Sequence, residues 1–371
     1  MASMSLKEKI FYGFICNENR VYKHWYTRFL LAGLDLERIR RVVGRIPKWR
    51  EWCAQWFDEG CRLEQMAQVA EAEGKNECAK RWFQESAGCF QVGQHFFYLD
   101  DDLKRKSLEK IWAIYPKSLA LYPEEQRPMR IDIPFRGVHI PGYLRLHPDP
   151  GRPLVVQING LDNIKECEQH TIGQMLYGAG FNAVAFDGPG QGEMWQSMTL
   201  IPDYNHAVSA VINWIGENHG RHVDMDRIGA IGFSKVGFLW PLAAAHDNRI
   251  QCVAANGGPA DLDFLLPESK VNPILMKAIP HAAGTKSLSE AVEKLGYDIT
   301  KAPPLDRPIL IHHSGADKII PHGRRHADKF MNWAVGEKEL QFYPDGQHVC
   351  ANYLDEVLPY AVDWLKIRLG G

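Results

Sequence analysis

The sequence predicts an α/β fold, a mostly parallel central sheet flanked by helices, preceded by an all-helical domain and interrupted by a helical cap insertion. Three observations carry this expectation. The first 120 or so residues read as helix after helix with almost no strand signal. From about Arg130 short β-rich runs alternate with helical ones, the grammar of a sheet wound with helices on both faces. Between the runs ending at Asn256 and beginning at Ile309 lies a long stretch with helical pieces such as Leu288 to Leu295, more chain than a crossover needs.

These signals divide the chain into a helical domain over 1–125 and an α/β domain over 126–371, with the insertion at about 261–303. In the first domain, Trp49 to Glu73 forms a long amphipathic pattern. The turn Gly74-Lys75-Asn76 interrupts it, and Cys78 to Tyr98 resumes at helical spacing, which predicts a helical hairpin. A tetratricopeptide array is excluded because one such pair occurs where stacking needs at least three. In the second domain Arg130 to Phe135 and Val138 to Leu146 read as an antiparallel pair. Core strands follow at Leu154 to Ile158, Ala183 to Phe186, Arg227 to Ile231, Cys252 to Asn256, Ile309 to His313 and Leu340 to Tyr343.

Composition narrows the partners. The 371 residues are 45% hydrophobic and 24% charged, the balance of a soluble globular protein with room for a large core. Forty-three Lys+Arg against 45 Asp+Glu give a net charge of -2, too little field to gather nucleic acid or anionic lipid. No run approaches the length of a membrane span and the N-terminus lacks the apolar stretch of a signal peptide, so a cytoplasmic protein is expected. The cysteines, at positions 16, 53, 61, 78, 89, 167, 252 and 350, form no CxxC pair and no ligand cluster with histidine. Reduced thiols, no metal and no cofactor are expected.

The chemistry is read from three loops. Arg227 to Ile231 runs straight into Gly232-Phe233-Ser234-Lys235-Val236-Gly237 and then a helix, the setting of a nucleophile elbow: a tight turn holds the serine hydroxyl over the C-terminal edge of the sheet. The usual G-x-S-x-G has glycine where Val236 stands, which implies a slightly wider helix–strand separation. A serine capping an ordinary helix would look similar, and the partners decide between the two. Serine needs a base oriented by a third group. Asp317 follows the strand Ile309 to His313, and His348 follows the strand Leu340 to Tyr343, so Ser, Asp and His come in the chain order of the α/β-hydrolase fold. Asp345 is a rival acid but lies too near His348 in sequence to reach across the imidazole, and no elbow presents Cys350 as a nucleophile. An oxyanion hole needs two N–H donors. Lys235 supplies one, and Asn159-Gly160-Leu161-Asp162, after the strand Leu154 to Ile158, offers that of Leu161. The glycine-rich Asp187 to Glu193 lacks any phosphate-binding form and reads as a structural loop.

Asn159-Gly160-Leu161-Asp162 with Lys165-Glu166, and Phe186-Asp187-Gly188-Pro189-Gly190-Gln191-Gly192-Glu193, resemble two signatures of the 2,6-dihydropseudooxynicotine hydrolase family and of the similar fungal polyketide-shortening hydrolases. The resemblance runs from about Trp49 onward. It implies a helical domain over an α/β-hydrolase core, a homodimer, a small-molecule substrate, and cofactor-free cleavage of a carbon–carbon bond beside a ketone by Ser234, Asp317 and His348. Asn159 stands where relatives usually carry glycine, and Lys235-Val236 replaces a more ordinary pair. A carboxylesterase, a natural-product cyclase using His348 as base, and a ligand-binding receptor with a retained triad are the alternative readings. Nine aromatics of the helical domain, Trp49, Trp52, Trp56, Trp82, Phe83, Phe90, Phe96, Phe97 and Tyr98, exceed what a short bundle can readily hide. The expectation is that some roof the active site or form a dimer interface.

Overall fold

The computed structural model describes residues 25–268 and 271–370; Cys16 and the rest of the N-terminal segment read above lie outside them. The described residues divide into two compact units, one of residues 25–127 with 166–171, the other of residues 128–165 with 172–268 and 271–370.

In the helical unit, α1 (Tyr26–Leu31) and α2 (Leu36–Val43) precede three longer helices, α3 (Trp49–Ala72), α4 (Asn76–Gln94) and α5 (Asp101–Ala120). Local chemistry places their ends. The Asp35 carboxylate accepts from the N–H groups of Glu37 and Arg38 at the start of α2, and Asp100 accepts from Leu103 N–H at the start of α5. Gly74, at φ +73°, turns the chain between α3 and α4. Many of the aromatic side chains counted in the sequence pack on one another. Trp49 stacks on Trp52 with centroids 5.3 Å apart and touches Phe97 at 6.1 Å, Trp52 meets Trp56 at 5.8 Å, and Phe57 meets Phe90 at 5.1 Å. Trp49, Trp52, Trp56, Phe83, Phe90, Phe96 and Phe97 are all buried.

A buried ion cluster braces the same helices. Arg38 of α2 reaches Glu59 of α3 at 2.7 Å and Glu85 of α4 at 2.6 Å, and both acids are almost inaccessible to solvent. Burial pushes the Glu59 carboxyl up, but hydrogen bonds and charge from Arg62 and Arg38 pull it down further, to about 2. Without Arg38 the two buried carboxylates keep only their more exposed partners, Arg62 and Arg41 on Glu59 at 2.6 and 3.4 Å and Arg81 on Glu85 at 2.7 Å. Arg38→Ala is expected to lower unfolding free energy at pH 7 by roughly 1.5–3 kcal/mol. Denaturant titration should show the deficit shrinking as pH falls from about 4.5 towards 2, where the parent's Glu59 also takes up its proton.

The second unit holds eight strands: β1 (Met129–Phe135), β2 (Val138–Arg145), β3 (Arg152–Ile158), β4 (Asn182–Phe186), β5 (Val223–Phe233), β6 (Ile250–Asn256), β7 (Ile309–Ser314) and β8 (Lys338–Tyr343). Their order in the sheet is β1-β2-β4-β3-β5-β6-β7-β8, antiparallel from β1 to β4 and parallel from β4 to β8. This is the predicted α/β-hydrolase fold with its N-terminal helical region. The strands lie where the sequence placed them, with β5 starting four residues earlier, at Val223. β4 and β7 are buried along their whole length and β3 and β6 nearly so, which is why they read as continuous apolar runs, whereas β1 alternates. Helices α6 (Glu168–Gly178), α7 (Asn205–His219), α8 (Val236–His246), α11 (Gly323–Trp333) and α12 (Leu354–Leu369) connect or follow them. The stretch between β6 and β7 folds as α9 (Pro273–Ala283) and α10 (Leu288–Leu295), whose Leu275, Ala283, Leu288 and Leu295 join the core of this unit.

The chain leaves β3 for β4 on one side and returns through β5 on the other. Adjacent loops there part in opposite directions, opening a crevice at the carboxyl ends of β3 and β5, the place where open α/β sheets put their ligands.

Candidate active site

Ser234 lies between the end of β5 and the start of α8. Its φ is +63°, a left-handed conformation that a non-glycine residue holds only when its surroundings enforce it. Two hydrogen bonds do so: Ser234 N–H donates to Asn256 O at 2.8 Å, and Gly237 N–H donates to Ser234 O at 2.7 Å. The wider separation expected from Val236 is not observed. Close approach passes to the next residue, where a Cβ on Gly237 would lie 2.7 Å from Gly258 N and 2.9 Å from Asn256 O. Val236 instead fills the space over Gly232, its Cγ1 2.4 Å from where a Cβ would be.

The loops after β7 and β8 bring the other two predicted residues to this turn. Ser234 Oγ lies 2.8 Å from His348 Nε2, and His348 Nδ1 lies 2.8 Å from Asp317 Oδ2. The second carboxylate oxygen, Asp317 Oδ1, accepts from Ile319 N–H at 2.8 Å and Ile320 N–H at 2.9 Å. Burial alone would raise the Asp317 pKa, but the charge and hydrogen bond of His348 and these two backbone donors hold it below the ordinary value. Asp317 is thus an anion that fixes the imidazole by its Nδ1 and leaves Nε2 facing the hydroxyl. Asp345, the rival acid, accepts from Tyr353 OH at 2.9 and 2.8 Å instead. Burial pushes the Cys350 thiol up to about 12, so it is no thiolate.

Asn256, at the end of β6, is not among the residues singled out from the sequence. Its carbonyl takes the Ser234 N–H, while its side-chain Nδ2 donates to Val349 O at 3.0 Å. Val349 and Cys350 are themselves left-handed, at φ +56° and +53°, and Cys350 N–H is held by Ser314 Oγ at 3.1 Å. One residue therefore pins both strained turns, the serine's and the histidine's.

The loop after β3 lies beside the same turn: a Cβ on Gly160 would sit 3.8 Å from both Phe233 O and Ser234 Cβ. Gln191 Nε2 donates to the carbonyls of Asn159 and Gly160, the latter at 2.8 Å. In a trans peptide the Gly160 carbonyl and the Leu161 N–H point in opposite directions, so anchoring the first turns the second away from Gln191. Neither Leu161 N–H nor Lys235 N–H donates to a backbone carbonyl among the described residues. The Asp187–Glu193 segment, read as structural, proves to position this loop. Asp187 Oδ1 accepts from Asn159 Nδ2 at 2.8 Å and Lys165 N–H at 3.0 Å, while Oδ2 accepts from Lys165 Nζ at 2.9 Å and Glu193 N–H at 3.1 Å. A polar residue following a buried strand, as in Phe186-Asp187 and Ala255-Asn256, is the available signal.

Lys235 contributes a further amine to this region. The residue is half-buried, but its Nζ is inaccessible and makes no hydrogen bond among the described residues; it lies 5.6 Å from the centre of the Tyr204 ring. Burial drives its pKa from 10.5 down to about 7, against an opposing pull from Asp187. Among the described residues no group of His, Cys, Asp and Glu is arranged to hold a metal ion, and no helix is long and apolar enough to cross a membrane.

A sheet of this order with a hydrogen-bonded Ser, His and Asp at its carboxyl edge places the chain in the α/β-hydrolase fold class, and comparison with known proteins agrees. Its homologues include 2,6-dihydropseudooxynicotine hydrolase of Paenarthrobacter nicotinovorans, 26% identical over 347 residues, 92% of this chain and 90% of that protein. Fungal hydrolases also match, among them hydrolase LUC6 of a Fusarium species, 27% identical over 241 residues that span 60% of this chain and 55% of the relative. The crystal structure of 2,6-dihydroxy-pseudo-oxynicotine hydrolase superposes with a TM-score of 0.82 at 25% identity, covering 93% of this chain and 95% of that one. AbyA5, at 17% identity, shares the fold with a TM-score of 0.71 over 95% of both chains. No family model matches the chain.

The Lys235 ammonium carries a stability consequence of definite sign. The unfolded chain, with an ordinary lysine, holds this proton more tightly than the folded one, so folding is penalised most at and below about pH 7 and the penalty fades as pH rises towards 10.5. Lys235→Met should therefore melt higher than the parent at pH 7, with the gap closing by pH 10. A constant gap across that range would show that the ammonium is not the source.

Proposed function

We propose that the chain is a serine hydrolase that cleaves a carbon–carbon bond beside a ketone in a β-dicarbonyl, polyketide or aryl-ketone compound. The observation that carries the hydrolytic part is the row Asp317, His348, Ser234, joined by two 2.8 Å hydrogen bonds and mounted on a left-handed serine turn. The carbon–carbon part rests on the likeness to 2,6-dihydropseudooxynicotine hydrolase over nearly the whole of both chains.

His348 takes the Ser234 proton through Nε2 as Oγ adds to the carbonyl. The charge that grows on the carbonyl oxygen is met by the N–H groups of Leu161 and Lys235, the second of these at the N-terminus of α8, where the helix dipole adds to it. Collapse of the adduct breaks the carbon–carbon bond. The leaving carbon keeps the electron pair as an enolate and receives the proton held by His348. Water, deprotonated by the same imidazole, then releases the acyl group as an acid. A carbon leaving group departs only when an adjacent carbonyl or electron-poor ring delocalises its charge, which narrows the substrates relative to an esterase.

Ser234→Ala and His348→Ala should each lower turnover by about three orders of magnitude or more without loss of fold, and Asp317→Asn by somewhat less. Reaction of Ser234 with a fluorophosphonate, read by mass spectrometry, checks the nucleophile directly. Near-normal turnover by Ser234→Ala would instead favour a cyclase driven by His348 alone. For the oxyanion loop, Gln191→Met frees two carbonyls and lets the Leu161 N–H turn. The expected result is a roughly 10²-fold loss of kcat with little change in KM. A rise in KM at constant kcat would mean the loop serves binding alone.

A further inference from the structure

Lys235 has a role available to its side chain as well as to its backbone. The acid acting on it, Asp187, is already met by four donors, including the buried ammonium of Lys165. Glu193 is likewise taken by Lys165 and by Arg130, whose guanidinium reaches it at 2.9 Å. Tyr204, beneath the Lys235 amine, donates its hydroxyl to Gln191 Oε1 at 2.6 Å and has its own ionisation suppressed by burial, as does the neighbouring Tyr297. The surroundings thus contain two lysines near one carboxylate, and the pairing leaves Lys235 over. A buried cation without a counter-ion is costly unless something else brings the negative charge.

We infer that the Lys235 ammonium is the counter-ion for the enolate released when the carbon–carbon bond breaks, and that the site therefore takes enolisable 1,3-dicarbonyl compounds. The inference rests on the carbon–carbon hydrolase reading above. The amine follows the nucleophile by one residue on a flexible four-carbon stem, and part of the residue is open to solvent while the nitrogen is not. In the step concerned, the Ser234 Oγ–carbon bond has formed, the carbon–carbon bond breaks, and its electron pair becomes the enolate. The enolate oxygen pairs with Lys235, which keeps its proton, while the carbon is protonated by His348. An ester, whose leaving group is an alkoxide or phenoxide, makes no such demand on the amine. The lowered proton affinity of Lys235 makes its ammonium a strong hydrogen-bond donor to an anion, and the paired enolate in turn holds the proton on the amine.

The test uses 1-phenyl-1,3-butanedione, whose enolate absorbs at longer wavelength than its neutral tautomers. Ser234→Ala, which cannot cleave it, should bind it with the enolate spectrum below the pH at which the free compound ionises. Adding Lys235→Met should abolish that band and Lys235→Arg should restore it in part. In the Ser234 protein, Lys235→Met should depress dione cleavage at least about tenfold more than it depresses 4-nitrophenyl acetate hydrolysis. Dione cleavage by the parent, with a neutral spectrum in Ser234→Ala or equal losses on both substrates, overturns the lysine's role and leaves the hydrolase reading standing. Ester hydrolysis without any binding or cleavage of the dione overturns both. If the methionine variants do not fold, the spectrum of Ser234→Ala alone decides, since a neutral bound form is incompatible with a counter-ion at this position.

Discussion

A serine at φ +63° is strained, and the site is organised around the contacts that hold it there. Asn256 receives its N–H, Gly237 donates to its carbonyl, and the absence of a Cβ at both Gly237 and Gly258 lets α8 approach the end of β6 closely enough for these bonds to form. Asn256 also donates to Val349, so the strain of the serine turn and that of the histidine loop are resisted by one side chain and one carbonyl of the same residue. Stored strain of this kind survives only where neighbouring structure over-determines it. Here the neighbours are the ends of two adjacent parallel strands.

Around this turn the polar interior is arranged in two layers. The layer nearest the proposed chemistry consists of Ser234, His348, Asp317 and the N–H groups of Leu161 and Lys235, which meet no backbone carbonyl among the described residues. Behind it Gln191, Asn159, Asp187 and Lys165 form a buried set that fixes the loop after β3 by its carbonyls. Such networks are stabilising only when nearly every member is satisfied. Asp187 accepts four hydrogen bonds and meets that condition, while the Lys235 ammonium does not, and this asymmetry is what sets Lys235 apart from the structural cations.

The helical unit obeys a different economy. Its interior is built from mutually packed indole and phenyl rings, and its buried ion cluster, Arg38 between Glu59 and Glu85, joins three helices through their shared interior. Rings that stack on one another hide more area than a count of helices suggests, because each ring face serves two neighbours.

Much of this protein is legible in its sequence. Apolar runs of strand length, alternating with helices, determine the α/β-hydrolase fold, because burial on both faces of a parallel sheet leaves a direct imprint on hydrophobicity. The order Ser234, Asp317, His348, each after its own strand, picks out the candidate residues because their chemistry depends on residue type and on the loop that carries them. Other features are decided only by tertiary structure. Val236 in place of glycine implies a wider gap, yet close packing moves to Gly237, since which residue faces the neighbouring strand depends on the rotation of α8. Asp187 and Gln191 read as parts of a plain turn, and Asn256 as the end of a strand. Their roles come from partners 6 to 93 residues away in sequence, and no local pattern records which side of a turn a carboxylate or amide will face. The Lys235 amine, without a hydrogen bond among the described residues, belongs to the same category: such a lack is a property of three-dimensional surroundings, which the order of residues along a chain does not contain.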